Sequence, residues 1–407
     1  MKTAVQFGAG NIGRGFMGQL FFEAGYRIIF VESRGDLVDK LNAAGEYPLK
    51  LLDAYSRQEI DMTVSNLTAL PASDVDAVAR SIQEADVIST AVGVKNLRLI
   101  APGLAEGIRR RLRTCSNKSR AGSRGTGAPP VDIYLCENIL DAPRQLKEAV
   151  YEQLSAEEKA RAEALVGFVG TTVARMVPVM DPDLKEKNPL LVVADSYHHL
   201  PFDGKAHRAQ PPEIEGLHAV GNFTAEVERK LFVYNLGHAG LAYLGNLKRY
   251  TYVHETIVDK EFYSLFSGAL DESSKALLDL YPEDLDPVQH QSLRKDIDIR
   301  YGNPLIKDTI ARVGRDPIRK LGPNDRLIGS LNLCLRQGVH PKRIASICAS
   351  ALCYDNSQDE EARRLQSMIA ELGVDRALEQ ITGIAAESQI GEEILGVYQT
   401  FKREYFA

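Results

Sequence analysis

A metal cage is the first thing the sequence lacks. Its five cysteines, Cys115, Cys136, Cys334, Cys348 and Cys353, form no C-x-x-C pair and offer no second pair at zinc-ribbon spacing. An odd set in a reducing compartment reads as free thiols, so a structural zinc is not expected. No apolar run approaches the length that crosses a bilayer. Met1-Lys2 leads into an apolar run that reaches Gly8 after a few residues, without a small-residue cleavage site. We therefore expect a cytoplasmic protein with no membrane partner. Basic residues are not in excess either. The 49 Lys and Arg stand against 55 Asp and Glu, a net charge of -6, whereas a general nucleic-acid binder would carry the opposite sign.

What is present is ordinary globular material. The 407 residues are 44% hydrophobic and 26% charged, too long for one ordinary core and comfortable for two. Strand-like runs at 3–7, 27–31, 86–92 and 131–136 alternate with helical patterns at 11–24, 34–44 and 97–112. Segments 166–179 and 190–194 look like further strands. Such alternation argues for a parallel sheet wrapped by helices. Residues 114–130 (TCSNKSRAGSRGTGAPP) break the pattern with Ser, Gly and Arg and almost nothing apolar. They read as a flexible surface insertion, or else as a basic docking loop for an anion or partner. From about Glu213 onward, helical patterns dominate, at 224–247, 252–271, 273–280, 287–301, 326–337, 341–352 and 359–372. The expected fold is α/β: a doubly wound sheet over 1–200 and a second, mostly helical domain over 201–407. The junction is expected between Ala194 and Glu215.

Gly8-Ala9-Gly10-Asn11-Ile12-Gly13 fits G-x-G-x-x-G. The pattern alone is weak, but a strand precedes it, a helix follows, and Glu32 ends the next strand. In a Rossmann-type turn Gly8 permits the tight bend, Gly10 lets the backbone approach a pyrophosphate, and Gly13 lets the helix pack on the strand. The helix N-terminus offers N–H groups and a positive dipole end to phosphates. A carboxylate at Glu32 would accept from the ribose hydroxyls of NAD and repel the extra phosphate of NADP. Arg34 nearby pulls the other way, and FAD shares the fingerprint. NAD is the expected cofactor.

Lys230-Leu-Phe-Val-Tyr-Asn235-Leu-Gly-His238 lies on a strong helical pattern. At about 100° per residue, Lys230, His238 and Asn235 fall at roughly 0°, 80° and 140°, on one broad side. Gly237, Gly240 and Gly245 cost helix stability and suggest that something packs closely. Moving a hydride from an alcohol needs a base for the proton and donors for the developing oxyanion. A lysine with a lowered pKa can be the base, and an amide and an imidazole can donate. From spacing alone, a surface lysine, a capping or solvated asparagine and a satisfied core histidine fit better than a catalytic group.

The pattern K-x-x-x-x-N-x-x-H resembles the signature of the polyol-specific long-chain dehydrogenases, which include mannitol dehydrogenases, mannitol-1-phosphate dehydrogenases and hexuronate reductases. The mannitol-1-phosphate branch is resembled by FGAGNIGRGF (7–16), Cys136-Glu137-Asn138, RYGNP (300–304) and RVGRDPIRKL (312–321). The similarity spans nearly the whole chain apart from 114–130. It implies Lys230 as general base, Asn235 and His238 as groups polarising the reacting oxygen, and Asn138 near the reacting centre. It also implies that no catalytic metal is bound, that the chain can work as a monomer, and that D-mannitol 1-phosphate and D-fructose 6-phosphate are interconverted with NAD(H). One departure stands out: relatives often carry V-D-R where this chain reads Val173-Ala174-Arg175.

Arg312 and Arg315 are three apart, so on a helical segment they project from neighbouring positions. Pro317 is expected to interrupt that helix, with Arg319 and Lys320 just beyond. Guanidinium groups bind phosphate in bidentate fashion. Relatives acting on free polyols resemble this segment but place a histidine where Arg315 stands. Arg312, Arg315 and Lys320 are thus expected to hold the phosphate of a sugar phosphate. The bland alternative is a solvated basic helix face.

Overall fold

The computed structural model describes residues 1–120, 129–139, 141–178, 180 and 182–406. The chain divides into two compact units, Met1–Asp53 with Gln58–Phe223, and Ala54–Arg57 with Thr224–Ala407. In the first unit, β1 (Thr3–Phe7), β2 (Arg27–Glu32), β3 (Tyr47–Leu52), β4 (Glu59–Val64), β5 (Leu67–Pro71), β6 (Val87–Thr90), β7 (Val131–Leu135) and β8 (Val166–Gly170) alternate with helices. The helices are α1 (Gly18–Glu23), α2 (Gly35–Ala44), α3 (Val75–Glu84), α4 (Leu97–Arg120), α5 (Ala142–Tyr151) and α6 (Ala156–Leu165). Six strands form one parallel sheet in the order β5-β2-β1-β6-β7-β8.

Burial on both faces explains the uninterrupted apolar runs. Val5, Phe7, Ile29 and Val31 meet Val78, Ile82, Leu104 and Ile108 on one side. Ala4, Ile28 and Phe30 meet Phe16, Leu20 and Phe21 on the other. The chain winds outward from β1 through β2 to β5, then returns to β6 on the opposite side. That reversal opens a crevice at the carboxyl ends of β1 and β6, where open α/β sheets take their ligands.

Several expectations need adjusting. The strand expected over 166–179 stops at Gly170, where a Cβ would lie 2.5 Å from the Phe223 ring. The hairpin of β3 and β4 and the edge strand β5 gave no clear sequence signal, because β4 is mostly exposed. Helix α4 continues to Arg120, past the expected end at 112, so the start of the 114–130 segment is helical. Its residues 121–128 lie outside the described ones. After α7 (Pro182–Lys187), β9 (Val192–Asp195) pairs with β3. Then β10 (Leu200–Asp203) pairs in parallel with β11 (Leu217–Val220). That pairing keeps residues 201–223 in the first unit and moves the junction beyond the 194–215 window.

The second unit is built around one long helical rod: α8 (Phe223–Arg229), a π-helical turn over Lys230–Asn235, and α9 (Leu236–Leu247). Around it lie α10 (Val253–Ile257), α11 (Lys260–Leu280), α12 (Pro287–Tyr301), α13 (Ile310–Val313), α14 (Pro317–Lys320), α15 (Ile328–Arg336) and α16 (Lys342–Leu352). Three further helices, α17 (Glu360–Leu372), α18 (Val374–Thr382) and α19 (Gln389–Tyr405), complete it. The glycines of α9 admit close neighbours. A Cβ on Gly237 would sit 2.9 Å from Phe266 of α11, and one on Gly240 2.8 Å from Ile347 of α16. The helix expected over 252–271 is two helices, because the Asp259 carboxylate accepts from the N–H groups of Glu261 and Phe262 and starts α11 afresh.

Candidate active site

In the first unit, the candidate cofactor site is the turn after β1. Gly8 has a φ of 86°, and a Cβ there would lie 2.5 Å from the Ala91 carbonyl oxygen. A Cβ on Gly13 would collide with the Gly8 carbonyl. Around Gly10 the reverse holds: a Cβ there would meet no protein atom within 4 Å. The protein's own packing does not require glycine at that position. The open space leaves room for a ligand to approach the helix start, so the cradle fits a dinucleotide pyrophosphate. The helix begins at Asn11 and Ile12, widens to π geometry over Gly13–Met17, and continues as α1. Side chains take up carbonyls of that wide turn: Tyr47 Oη donates to Arg14 O (2.6 Å) and Arg175 Nη1 to Gly15 O (2.7 Å). The arginine of the divergent V-A-R segment therefore braces the cofactor helix.

Glu32 is buried at the end of β2, and its carboxylate is already engaged. Oε2 accepts from Ala9 N (2.9 Å), while Oε1 accepts from Ser33 N (2.9 Å), Arg34 N (3.0 Å) and Ser33 Oγ (3.1 Å). Burial opposes its charge, but the N–H groups of Arg34 and Ala9 and the Arg34 guanidinium outweigh it and hold the carboxyl below its usual range. The group tied to the glycine turn is thus the anion. With a single bond on Oε2 among the described residues, one lone pair of that oxygen is left for a ribose hydroxyl.

Asn138 emerges at the same edge. Phe7 is in register with Thr90, and Thr90 with Leu135, so the residues after each strand leave the sheet together. Glu137 fixes that edge, accepting from Thr90 Oγ1 (2.7 Å) and Val92 N (2.9 Å). Asn138 itself is exposed, three residues past the strand.

In the second unit, the candidate catalytic group is the π turn of the helical rod. In a regular α-helix Lys230 and Asn235 would stand roughly 140° apart. The wider turn brings them closer to one face, and such turns recur at functional sites. It is held from outside: Ser273 Oγ donates to Phe232 O (2.8 Å) and Tyr301 Oη to Tyr234 O (2.7 Å). The Lys230 amine is lowered to about 7, first by burial and then by the nearby charge of Arg326, with Asp325 opposing in part. Asn235 Nδ2 is buried with no hydrogen-bond partner among the described residues. The His238 ring stacks on Tyr301 (centroids 4.9 Å apart, planes at 13°) and its Nε2 lies 2.9 Å from Asp308 Oδ2. Burial lowers the His238 pKa, with Asp308 working against it.

The three cations expected to form the phosphate site are not alike. Arg312 grips Asp308 through Nε (2.6 Å to Oδ1) and Nη2 (2.5 Å to Oδ2). Lys320 is buried and donates to the carbonyls of Val313 and Arg315; burial, Arg326 and Arg319 lower its amine to about 7. Arg315 is exposed and, among the described residues, donates only to Arg312 O, at 3.3 Å. Pro317 starts α14 rather than ending a helix, after Asp316 at a φ of 58°, so Arg315 lies in the link between two short helices. Asp308, Asp325 and Arg326 were not anticipated. Asp308 had a signal, since it stands four residues before Arg312. Arg326 acts through space and had none.

Comparison with known proteins identifies the family and the fold. The mannitol dehydrogenase Rossmann domain matches residues 2–216, and the mannitol dehydrogenase C-terminal domain matches residues 222–402. The chain belongs to the mannitol dehydrogenase family. A D-sorbitol dehydrogenase in substrate-free form is similar in fold, with a TM-score of 0.79 at 18% identity over 99% of this chain and 94% of that one. Pseudomonas fluorescens mannitol 2-dehydrogenase, in a ternary complex with NAD and D-mannitol, gives 0.71 at 18% identity over 99% and 92%. Among the described residues, no helix is long and apolar enough to cross a membrane, and no His, Cys, Asp and Glu side chains group as a metal site. Cys136, Cys334, Cys348 and Cys353 are buried free thiols.

Proposed function

We propose that the chain is an NAD-dependent dehydrogenase that interconverts D-mannitol 1-phosphate and D-fructose 6-phosphate without a catalytic metal. The observation that carries the reading is the π turn, which offers an amine at about 7 and an amide N–H with no hydrogen-bond partner among the described residues. The glycine turn and Glu32 would hold NAD, which supplies the hydride acceptor when bound. Lys230 takes the proton of the reacting hydroxyl. Asn235 Nδ2 donates to the oxygen as charge develops on it, and a buried donor left unpaired in the free protein gains most from that contact. The protonated Lys230 then adds a second donor.

The sign of the pH dependence follows. Oxidation of the polyol needs the neutral amine, so its rate should rise by about tenfold per pH unit up to roughly 7 and then level off. Reduction of the ketose needs the protonated amine and should fall as pH rises past the same point. Initial rates in both directions on one buffer series check this; parallel profiles would remove Lys230 from the proton step.

The phosphate preference rests on Arg315 and on the sequence motifs shared with the mannitol-1-phosphate branch. NADH oxidation with fructose 6-phosphate, compared with fructose and a hexuronate, tests it. Arg315→His should raise the KM for fructose 6-phosphate by about tenfold, the scale of one exposed charge-assisted contact, and leave free fructose unchanged. Equal activity on free fructose would favour a second reading, a dehydrogenase of free polyols, which the engagement of Arg312 and Lys320 by protein groups also suits.

A further inference from the structure

The contacts of His238 say which way its ring is protonated. Nε2 faces Asp308 Oδ2 at 2.9 Å, and Nδ1 makes no hydrogen bond to any described residue. Asp308 is buried and gripped at both oxygens by Arg312. Burial works against its charge, yet the bonds from His238 and Arg312 hold its carboxyl down to about 2. A carboxylate in that state only accepts, so the ring nitrogen opposite must carry the proton.

We infer that Asp308, clamped by Arg312, fixes His238 in the Nε2–H tautomer, so that the imidazole meets substrate through the Nδ1 lone pair, as an acceptor. An acceptor cannot polarise an oxygen that is gaining negative charge. The donors to that oxygen are therefore Asn235 and the protonated Lys230. His238 accepts instead from a hydroxyl that keeps its proton, such as a neighbouring hydroxyl of the polyol chain. Arg312 is then a positioning residue that acts through Asp308, not a ligand of the substrate phosphate. This inference rests on reading the π turn as the active site.

Long-range proton–nitrogen NMR on the full-length protein labelled with ¹⁵N-histidine reads the tautomer directly, with His238→Gln used only to assign the signal. At neutral pH the wild-type ring should show the Nε2–H pattern, and Asp308→Asn should mix the two tautomers. An Nδ1–H or doubly protonated ring in the wild type overturns the proposal without any variant having to fold. In kinetics, Asp308→Asn should lower kcat by about tenfold and alter the pH profile while NADH binding is kept. Arg312→Gln should reduce kcat/KM for fructose 6-phosphate and fructose by the same factor, with partial recovery in Arg312→Lys. A loss confined to the KM of the phosphorylated substrate would make Arg312 a phosphate ligand and sink the proposal. Failure of the active-site reading looks different: Lys230 variants would keep full activity whatever the tautomer.

Discussion

Lys230→Ala is expected to lower turnover by roughly 10²–10⁴-fold, the usual share of a general base in the barrier, with NADH affinity unchanged. The arginine variant makes the test sharper. A guanidinium keeps the charge and most of the length but does not give up its proton in a protein. If Lys230 serves only as a cation near the oxygen, Lys230→Arg retains much of the activity. If it must accept a proton, the arginine variant is as slow as the alanine one. The structure favours the second outcome, because burial and Arg326 act together to make the neutral amine accessible near pH 7. Small primary amines added to the alanine variant should restore part of the rate, more so as their fraction of free base rises. Full activity in Lys230→Ala would remove the lysine from the chemistry.

Local pattern carried much of this site and failed where distant residues decide the geometry. Strand, glycines, helix and acid follow one another within about thirty residues, so the first turn was readable, including the closeness that Gly13 must allow. The triplet Lys230, Asn235 and His238 was readable as a spacing, but its π turn was not. That turn depends on hydroxyls from Ser273 and Tyr301, dozens of residues further on, taking the carbonyls it loosens. The same limit applies to the cations. Charge and spacing put Arg312, Arg315 and Lys320 together, and nothing local says that Arg312 faces Asp308 while Lys320 turns inward to backbone carbonyls. Glycines at 237 and 240 were read as close packing, and Phe266 and Ile347 are what they admit. β4 was missed for the opposite reason, since a mostly exposed edge hairpin needs no apolar run.

Glu32→Ala should raise the Kd for NADH by about 100-fold, and the reason is more the turn than the ribose. The carboxylate is the acceptor for Ala9 N in the glycine turn and for Ser33 N and Arg34 N at the start of α2. Leaving the buried Ala9 N–H without an acceptor costs about 1–3 kcal/mol, and about 2.7 kcal/mol is a factor of 100. Glu32→Gln should fall closer to alanine than to wild type. Its amide has one oxygen and one NH₂, and whichever end the NH₂ occupies, a donor then faces either Ala9 N or the pair Ser33 N and Arg34 N. Glu32→Asp keeps the charge on a shorter arm and should stand between the two. Selectivity gives a second readout: with the negative charge gone and Arg34 beside the site, NADPH should approach or overtake NADH. Titration of each variant with both dinucleotides by fluorescence, with thermal unfolding as the control on folding, separates the outcomes. An unchanged NADH affinity in Glu32→Gln would mean that the turn holds its shape without the anion, and the account of the cofactor turn would fall.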